Sequence, residues 1–323
     1  MKRTLAVLAV LLSVLSCTQR GKNAGSAAAG RDFPSIEVHT LITSEEAKRN
    51  YIIDHCWDEF FKCKGPSDSL QILGVKRSDV MEVAGYYIML LRTLPVPEAQ
   101  KHIESIFENI EKVQRRDTSS TFFLQMTEIF AKYLYDPNSP FRNEDIYLPL
   151  VEGLVDSPFT DADKLPGYRF ELEKCRLNPY GSKVPDFQFK DISDKVHNLY
   201  GVKARYTLLF FSNPGCEACK EIIGQLGTRS YLDSMIADGE VAVVNIYIDE
   251  EIDKWKEYEH NYPRNWVCGY DWKGLIRQDD LYFVRAIPSL YLLDSQKRVI
   301  YKDAPVEFVL MYLDKINEGI EIK

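Results

Sequence analysis

The pattern of apolar and polar positions changes about halfway along the chain. From residue 43 to about residue 174, apolar residues recur at helical spacing, between turn-rich stretches such as "KGPSD", "LPVP" and "DPNSP". One such stripe is formed by Ile103, Phe107, Ile110 and Val113. This half therefore predicts several packed helices, the first capped by Thr43 or Ser44, and it shows no repeat period that would indicate a solenoid.

The second half has the pattern of apolar and polar residues that is typical of an α/β domain. "RYTLLFF" and "VAVVNIYI" are apolar runs of strand length, "SLYLLD" and "RVIYKD" flank a hairpin turn, and "VEFVLMYLDKI" returns to helical spacing. The change falls near residues 177–183. We therefore predict an all-α helical domain over residues 35–177, followed by an α/β domain over residues 182–323.

The N-terminus has the layout of an export signal. "MKR" is followed by an apolar stretch from Leu5 to Leu15, which is too short to span a bilayer, and then by "VLSC" ending at Cys17. This run resembles a bacterial lipobox, which implies cleavage after residue 16 and lipidation of Cys17. The alternatives are a signal peptide cleaved elsewhere or an uncleaved anchor. Residues 17–34 are small and polar, and predict a flexible tether.

Composition and charge limit the partners and the compartment. The formal net charge is −8, and removal of residues 1–16 would leave −10, which disfavours nucleic acid and anionic membrane surfaces. Of the seven cysteines, the six other than Cys17 are too sparse for a disulfide framework. With no acidic cluster after Cys17, we expect a lipid-anchored protein that faces the periplasm, with the outer membrane as the favoured site.

The stretch "FFSNPGCEACKEII" carries the candidate chemistry. Cys216 and Cys219 could be half of a zinc site, an inert disulfide or a redox pair. A zinc site needs four ligands, and the chain has no second cysteine pair and five scattered histidines, so neither a metal nor a cofactor is predicted. In the redox interpretation Cys216 begins a helix, where free N–H groups and the helix dipole stabilise a thiolate, and Cys219 lies one turn further on.

A second feature lies far downstream, where "RAIPSLYLLD" places Ile287 and Pro288 at the start of a predicted strand. Together with the cysteine pair, this resembles the thioredoxin superfamily, whose members hold a cis-proline against the active disulfide. The resemblance implies that Cys216 is the nucleophile and Cys219 the resolving thiol. It also implies that Pro288 is the cis-proline and that Ile287 presents its backbone to substrate. The alternative for Pro288 is an ordinary proline between a loop and a strand.

The spacing of these features narrows the resemblance. Cys216 and Pro288 are 72 positions apart, and "GSKVPDFQFKDISDKVHNLY" precedes the first long strand. Both are similar to periplasmic thioredoxins of cytochrome maturation, and the whole layout resembles Bacteroidota lipoproteins that carry a helical domain before a thioredoxin-like domain. The implied partners are envelope proteins with disulfides or cysteines, and a membrane thiol reductase that donates electrons.

Several positions depart from the family pattern. Gly215 replaces the usual tryptophan before the nucleophile, and Phe210 stands where many thioredoxins bury an acid, a role that Glu217, Glu221 or Asp249 could take over. Glu217 beside the nucleophile should disfavour its thiolate and make the couple more reducing, unless it is a solvated surface residue. Gly215 and Glu217 therefore join Ile287 as candidate substrate-binding positions, in a reductase or isomerase.

Other interpretations remain at this point. A peroxiredoxin is disfavoured because Leu209 and Asn213 occupy its proline and threonine positions. A redox-silent scaffold that uses its helical domain to bind a partner is the principal rival. The remaining cysteines, Cys56, Cys63, Cys175 and Cys268, are expected to be core thiols, with Cys268 as a less favoured third redox thiol. "NYPRNWVCGYDWKG" could line a binding surface or fill the core.

Overall fold

The computed structural model describes residues 30–320, which form two compact units. One unit contains residues 30–90 and 109–126, and the other contains residues 91–108 and 127–320. Within the described range, none of the helices has both the length and the apolar character needed to cross a membrane. The predicted signal peptide, Cys17 and most of the predicted tether lie outside the described residues.

The described residues form eleven α-helices and nine strands. The helices are α1 Glu45–His55, α2 Arg77–Leu91, α3 Val96–Gln114, α4 Phe122–Leu134, α5 Glu144–Asp156, α6 Leu165–Cys175, α7 Glu217–Gly227, α8 Ser230–Ala237, α9 Ile252–Tyr258, α10 Leu275–Gln278 and α11 Val306–Asn317. The strands are β1 Gln71–Ile72, β2 Val75–Lys76, β3 Gln188–Lys190, β4 Val196–Asn198, β5 Tyr206–Phe211, β6 Val241–Tyr247, β7 Val267–Tyr270, β8 Ser289–Leu293 and β9 Val299–Tyr301.

The first unit is mainly helical and is centred on aromatic side chains. Ser44 caps α1 by accepting a hydrogen bond from the Ala47 N–H group, as the sequence predicted. The Phe60 ring lies 5.4 Å from Trp57 and 5.3 Å from Phe33, measured between centroids. Phe33 falls within the segment predicted to be a tether, so ordered packing begins before residue 35.

The hairpin β1–β2 is an element that the helical pattern did not predict. It pairs Gln71 with Lys76 and Ile72 with Val75. Its turn needs positive φ at Gly74 (φ 72°), a conformation that glycine adopts without steric cost. Four residues of alternating burial are too few to stand out from helical periodicity, and for this reason the hairpin was missed.

The second unit is built around a seven-stranded sheet with the order β4-β3-β7-β6-β5-β8-β9. β5 is parallel to β6 and antiparallel to β8, and β6 is parallel to β7. The antiparallel β3–β4 hairpin precedes β5, as expected from the stretch "GSKVPDFQFKDISDKVHNLY". The predicted strands, the closing β8–β9 hairpin and the final helix are all present.

Two hydrophobic cores cover the two faces of this sheet, because alternate residues of each strand point to opposite sides. We call them the α7 core and the α10 core. The α7 core includes Leu208, Phe210, Cys219, Ile222, Leu226, Val243, Leu290 and Val309. The α10 core includes Phe189, Leu209, Phe211, Val244, Ile246, Ile276, Tyr282 and Tyr291. β5 is buried on both faces, which explains its unbroken apolar sequence.

The second unit also contains the helices α5 and α6 together with the sheet. Lys302, which follows β9, has a fully buried side chain whose ammonium group donates to the carbonyl groups of Lys174, Cys175 and Leu177 at 2.7–3.2 Å. These carbonyls lie at and just beyond the end of α6 and have no partner within the helix. The helical and α/β parts of this unit therefore share buried polar contacts.

The observed architecture confirms the predicted fold class, a helical N-terminal part followed by an α/β part with a mixed sheet. The boundaries drawn at residues 35–177 and 182–323 remain predictions. The two compact units divide the helical half differently, since α5 and α6 belong to the same unit as the sheet.

Candidate active site

The cysteine pair lies at the end of the central strand β5. After Phe211 the chain turns through Ser212–Gly215, and Cys216 is the N-cap residue of α7. The sulfur of Cys216 accepts a hydrogen bond from the Cys219 N–H group at 3.1 Å. This donor is one of the four N–H groups that a helix leaves unpaired at its start, so it can also stabilise a thiolate on Cys216.

The two cysteines are bonded to each other and differ in exposure. Cys216 and Cys219 form a disulfide with their Cα atoms 5.2 Å apart. Cys216 is half-buried, whereas Cys219 is 2% exposed and belongs to the α7 core. An incoming molecule can therefore reach Cys216 more readily than Cys219, while their roles as nucleophile and resolving thiol remain predictions.

The peptide bond between Ile287 and Pro288 is cis. It immediately precedes β8, whose first residue, Ser289, is the antiparallel partner of Phe211 at the end of β5. Because β5 ends where β8 begins, this peptide lies at the same sheet edge as the turn that carries Cys216. Cys216 and Ile287 both pack against the α7 core. The structure therefore brings the Cys216–Cys219 pair and the Ile287–Pro288 peptide, which are far apart in sequence, to the same edge of the sheet.

Backbone conformation, rather than lack of space for a side chain, favours glycine at position 215. Its φ is +73°, in the left-handed region that disfavours residues with a β-carbon, and a β-carbon placed there would meet no atom within 4 Å. The residue is exposed beside Cys216. The turn thus explains why glycine stands at this position, and it leaves the approach to the nucleophile open.

The carboxylate of Glu217 is partly neutralised by a neighbour. It lies 2.6 Å from the ammonium group of Lys220, one turn along α7, and 80% of its side chain is exposed. Solvent and the lysine both weaken its influence on Cys216. This exposure agrees with the alternative of a solvated surface residue, and the effect of Glu217 on the Cys216 thiolate remains a prediction.

Three other acid positions were considered from the sequence, and the structure separates them. Phe210 is fully buried in the α7 core, so that position holds no ionisable group. Glu221 is exposed on α7. Asp249 accepts a hydrogen bond from the Asn213 side-chain amide at 2.5 Å and pairs with Arg277 at 2.9 Å. Asp249, which follows β6, therefore links the turn before Cys216 to the end of that strand by a hydrogen bond.

A buried polar group beneath the turn was not found by sequence reasoning. The Ser212 hydroxyl donates to the Asn245 side-chain oxygen at 2.6 Å and lies 3.2 Å from the Tyr262 hydroxyl. Asn245 is fully buried in β6 and is paired in register with Phe210. The single polar residue within "VAVVNIYI" was the available signal, because a buried amide needs a partner.

The remaining described cysteines, Cys56, Cys63, Cys175 and Cys268, are not in disulfides. Burial raises the pKa of Cys56 to about 12, and it also raises the pKa of Cys268 to about 12. Burial also raises the pKa of Cys175. Such thiols carry almost no thiolate at neutral pH and are weak nucleophiles. This chemistry favours Cys216 and Cys219 as the reactive pair.

The aromatic segment near residue 266 mostly fills the core. Tyr270 is buried, and Trp272 packs against the cluster formed by Tyr247, Trp255, Tyr262 and Tyr270. Trp266 is half-buried against the α7 core, with its ring centroid 6.3 Å from that of Phe210.

Among residues 30–320, no group of three or more His, Cys, Asp or Glu side chains is arranged to hold a metal ion.

The fold and the bonded cysteine pair define a thioredoxin-like protein. Residues 15–178 match the model of a domain of unknown function, DUF5106. A crystal structure of a thioredoxin-like protein from Bacteroides caccae is 32% identical, with a TM-score of 0.72, and the match covers 88% of this chain and 98% of that one. A search of curated proteins finds no match.

Two other solved structures match part of the chain. The C-terminal domain of an uncharacterized protein from Bacteroides fragilis is 41% identical, with a TM-score of 0.41, and the match covers 42% of this chain and 98% of that one. The thioredoxin domain of a thiol-disulfide oxidoreductase from Bacteroides vulgatus is 18% identical, with a TM-score of 0.37, over 42% of this chain and 96% of that one.

This chain belongs to the family of the B. caccae thioredoxin-like protein, with a DUF5106 domain in its N-terminal half. Its fold is thioredoxin-like.

The positive φ at Gly215 leads to a stability prediction. Gly215→Ala should lower the free energy of unfolding by about 1–2 kcal/mol, because alanine must adopt the left-handed conformation. Urea unfolding followed by circular dichroism measures this change. Gly224→Ala is the matched control: Gly224 lies within α7, has no positive φ and has room for a β-carbon, so the variant should be more stable by about 0.5–1 kcal/mol. A Gly215→Ala protein as stable as the wild type would contradict this account.

Proposed function

We propose that this protein is a lipid-anchored thiol–disulfide oxidoreductase of the cell envelope, acting as a reductase or isomerase. One observation carries the proposal: the Cys216–Cys219 disulfide at the start of α7 lies at the same sheet edge as the cis Ile287–Pro288 peptide. A nucleophilic sulfur beside a backbone segment that pairs with substrate suits attack on a disulfide within an extended protein segment.

The proposed reaction is a two-step exchange that starts from the reduced pair. The Cys216 thiolate attacks one sulfur of a substrate disulfide, so that a mixed disulfide forms and the other substrate sulfur leaves as a thiolate. The Cys219 thiolate then attacks the Cys216 sulfur, closes the intramolecular disulfide and releases the second substrate thiolate. Two electrons pass from the cysteine pair to the substrate. An isomerase would instead return the mixed disulfide to a different substrate thiol.

The environment of the pair supports reduction or isomerisation rather than oxidation. A strong oxidant needs a nucleophile whose thiolate is highly stabilised, usually by nearby positive charge. Here the nearest charged side chain in sequence is Glu217, and its partner Lys220 offsets that charge without reversing it. Glu217 and Gly215, both exposed beside Cys216, and the backbone of Ile287 are the proposed substrate-binding positions.

The proposed partners follow from the chemistry and from the N-terminal sequence. Each turnover oxidises the cysteine pair, so a membrane thiol reductase must supply two electrons to regenerate it. The substrates are envelope proteins that contain disulfides or exposed cysteines. A lipid on Cys17 would hold the protein at the envelope facing the periplasm, with the outer membrane as the favoured membrane.

The first test is catalytic. Wild-type protein should accelerate the reduction of insulin by dithiothreitol, and Cys216→Ser should lower the rate by on the order of a hundredfold or more because it removes the nucleophile. The rate of insulin precipitation gives the measurement. Cys63→Ser is the matched control, since Cys63 is a half-buried free thiol outside the site and its loss should leave the rate unchanged. An inactive wild type would favour the scaffold alternative instead.

The second test addresses the partners. Cys219→Ala should accumulate mixed disulfides on Cys216 in cells, because the resolving thiol is missing. Affinity purification without reductant, followed by mass spectrometry, would identify the trapped proteins. A Cys216→Ser/Cys219→Ala double variant is the control and should trap none. Equal recovery from both variants would show that the captured proteins are not disulfide-linked to the site.

The third test concerns the anchor. Cys17→Ser should abolish incorporation of a labelled fatty acid and move the protein from the membrane fraction to the soluble fraction, because stable attachment depends on the acyl chains. Ser16→Ala is the control and leaves the modified cysteine in place. Unchanged labelling in Cys17→Ser would rule out lipidation at this residue.

A further inference from the structure

Helix α5 and the loop before the cis peptide are linked by a buried cluster of charged side chains. The loop runs from the end of α10 to Pro288, and Arg285, two residues before Ile287, is the loop residue that belongs to the cluster. Glu144, in the first turn of α5, lies at the centre of the cluster with only 2% of its surface exposed. All of these residues belong to the second compact unit.

The guanidinium group of Arg285 makes polar contacts with three residues. It donates to the Tyr135 carbonyl at 2.6 Å, lies 3.2 Å from a carboxylate oxygen of Glu144 and donates to the Asp303 carboxylate at 3.3 Å. The same group lies 4.4 Å above the centre of the Tyr135 ring. Arg285 thus connects its loop to the end of α4, to α5 and to the residue after Lys302.

The charges in the cluster support one another. Lys302 contacts the second carboxylate oxygen of Glu144 at 2.8 Å, and Arg142 pairs with Asp303 at 3.5 Å. Burial lowers the pKa of Arg285, but Glu144 and Asp303 outweigh this effect, so the pKa stands above its ordinary value. Arg285 therefore stays charged at neutral pH, and removal of Glu144 would leave two buried cations short of a counter-ion.

Two hydrogen bonds also hold the loop further from the cis peptide. The Asn178 amide donates to the Leu281 carbonyl at 2.7 Å, and the Tyr282 hydroxyl donates to the Pro185 carbonyl at 2.7 Å. Of the side chains on this loop that carry a charge, Arg285 is the nearest in sequence to Ile287. Its contacts therefore act on the segment next to the backbone that would receive a substrate.

We infer that Glu144 and Arg285 are positioning residues for the proposed disulfide exchange: they fix the Ile287–Pro288 segment in the conformation that receives a protein substrate. This inference rests on the proposed function. It gives the helical half of the chain a role at the site, because Tyr135 and Glu144 both lie within the part that matches DUF5106.

The physical reason is the cost of ordering a loop when a substrate binds. A segment that is already held in one conformation pairs with substrate at little ordering cost, whereas a released segment pays that cost at each encounter. Loosening the loop should therefore weaken binding of an extended polypeptide. It should not alter the chemistry of Cys216, which lies on a different element. A purely structural role would instead lower stability without separating binding from chemistry.

The test compares Glu144→Gln with wild type. For insulin reduction we expect KM to rise about five- to tenfold with kcat changed less than about twofold, because the substrate pairs with a less ordered backbone. Alkylation of reduced Cys216 by iodoacetamide should keep its wild-type rate. Arg285→Lys keeps the charge but loses the planar fork, and should raise KM to an intermediate value.

Asp145→Asn is the matched control. Asp145 follows Glu144 in the same turn of α5 and is also buried, but its carboxylate accepts a hydrogen bond from the Tyr180 N–H group at 2.8 Å, which an asparagine oxygen can still do. This variant should keep the wild-type KM. An unchanged KM in both Glu144→Gln and Arg285→Lys, or an equal rise in Asp145→Asn, would overturn the inference.

A measurement that is independent of activity separates this inference from the proposed function. Amide hydrogen exchange in a peptide spanning residues 283–290 should be faster in Glu144→Gln than in wild type and Asp145→Asn, because exchange reports local opening. Unchanged exchange overturns the inference whatever the activity. If wild type fails to reduce insulin but exchange still differs, the proposed function fails while fixation of the loop is supported.

Discussion

The candidate site depends on the pairing of strand β5 with its two neighbours. β5 is parallel to β6 and antiparallel to β8, with both faces buried, so its position and direction in the sheet are tightly determined. The turn that carries Cys216 follows the carboxyl end of β5. Phe211, the last residue of β5, pairs with Ser289, and this register brings the cis Ile287–Pro288 peptide to the same edge of the sheet. A shift of one residue in this pairing would turn the core side chains to the wrong face and separate the two halves of the site.

Polar contacts then refine what the hydrophobic sheet establishes. Ser212 and Asn245 form a hydrogen bond beneath the turn, and Asn213 binds Asp249 above the end of β6. Near the cis peptide in sequence, Arg285 joins Glu144 and Lys302 in a buried cluster. Breaking a buried ion pair by removing one partner commonly costs about 3–5 kcal/mol, so such contacts specify one arrangement strongly even where their net contribution to stability is small.

Much of the fold could be read from periodicity, and the exceptions have physical causes. The buried strands β5 and β6 are continuous apolar runs, and the stripe on α3 has helical spacing, so both were predicted. The hairpin β1–β2 was missed because two residues per strand carry too little pattern. At the site, the sequence showed only that Gly215 replaces the tryptophan usual in the family. Its positive φ shows that the turn itself favours glycine. For Glu217 the sequence left two interpretations open, and the structure shows an exposed side chain paired with Lys220.

The sequence by itself determined the order of the elements and the residue types that carry the chemistry. Cys216 and Cys219 at the start of a helix, and a proline before a buried strand, follow from local spacing and from the apolar runs beside them. Only the tertiary structure decided how distant residues meet. Nothing in the spacing of Tyr135, Glu144, Arg285 and Asp303 indicates that they form one buried cluster, because their contacts depend on sheet register and helix packing rather than on local sequence.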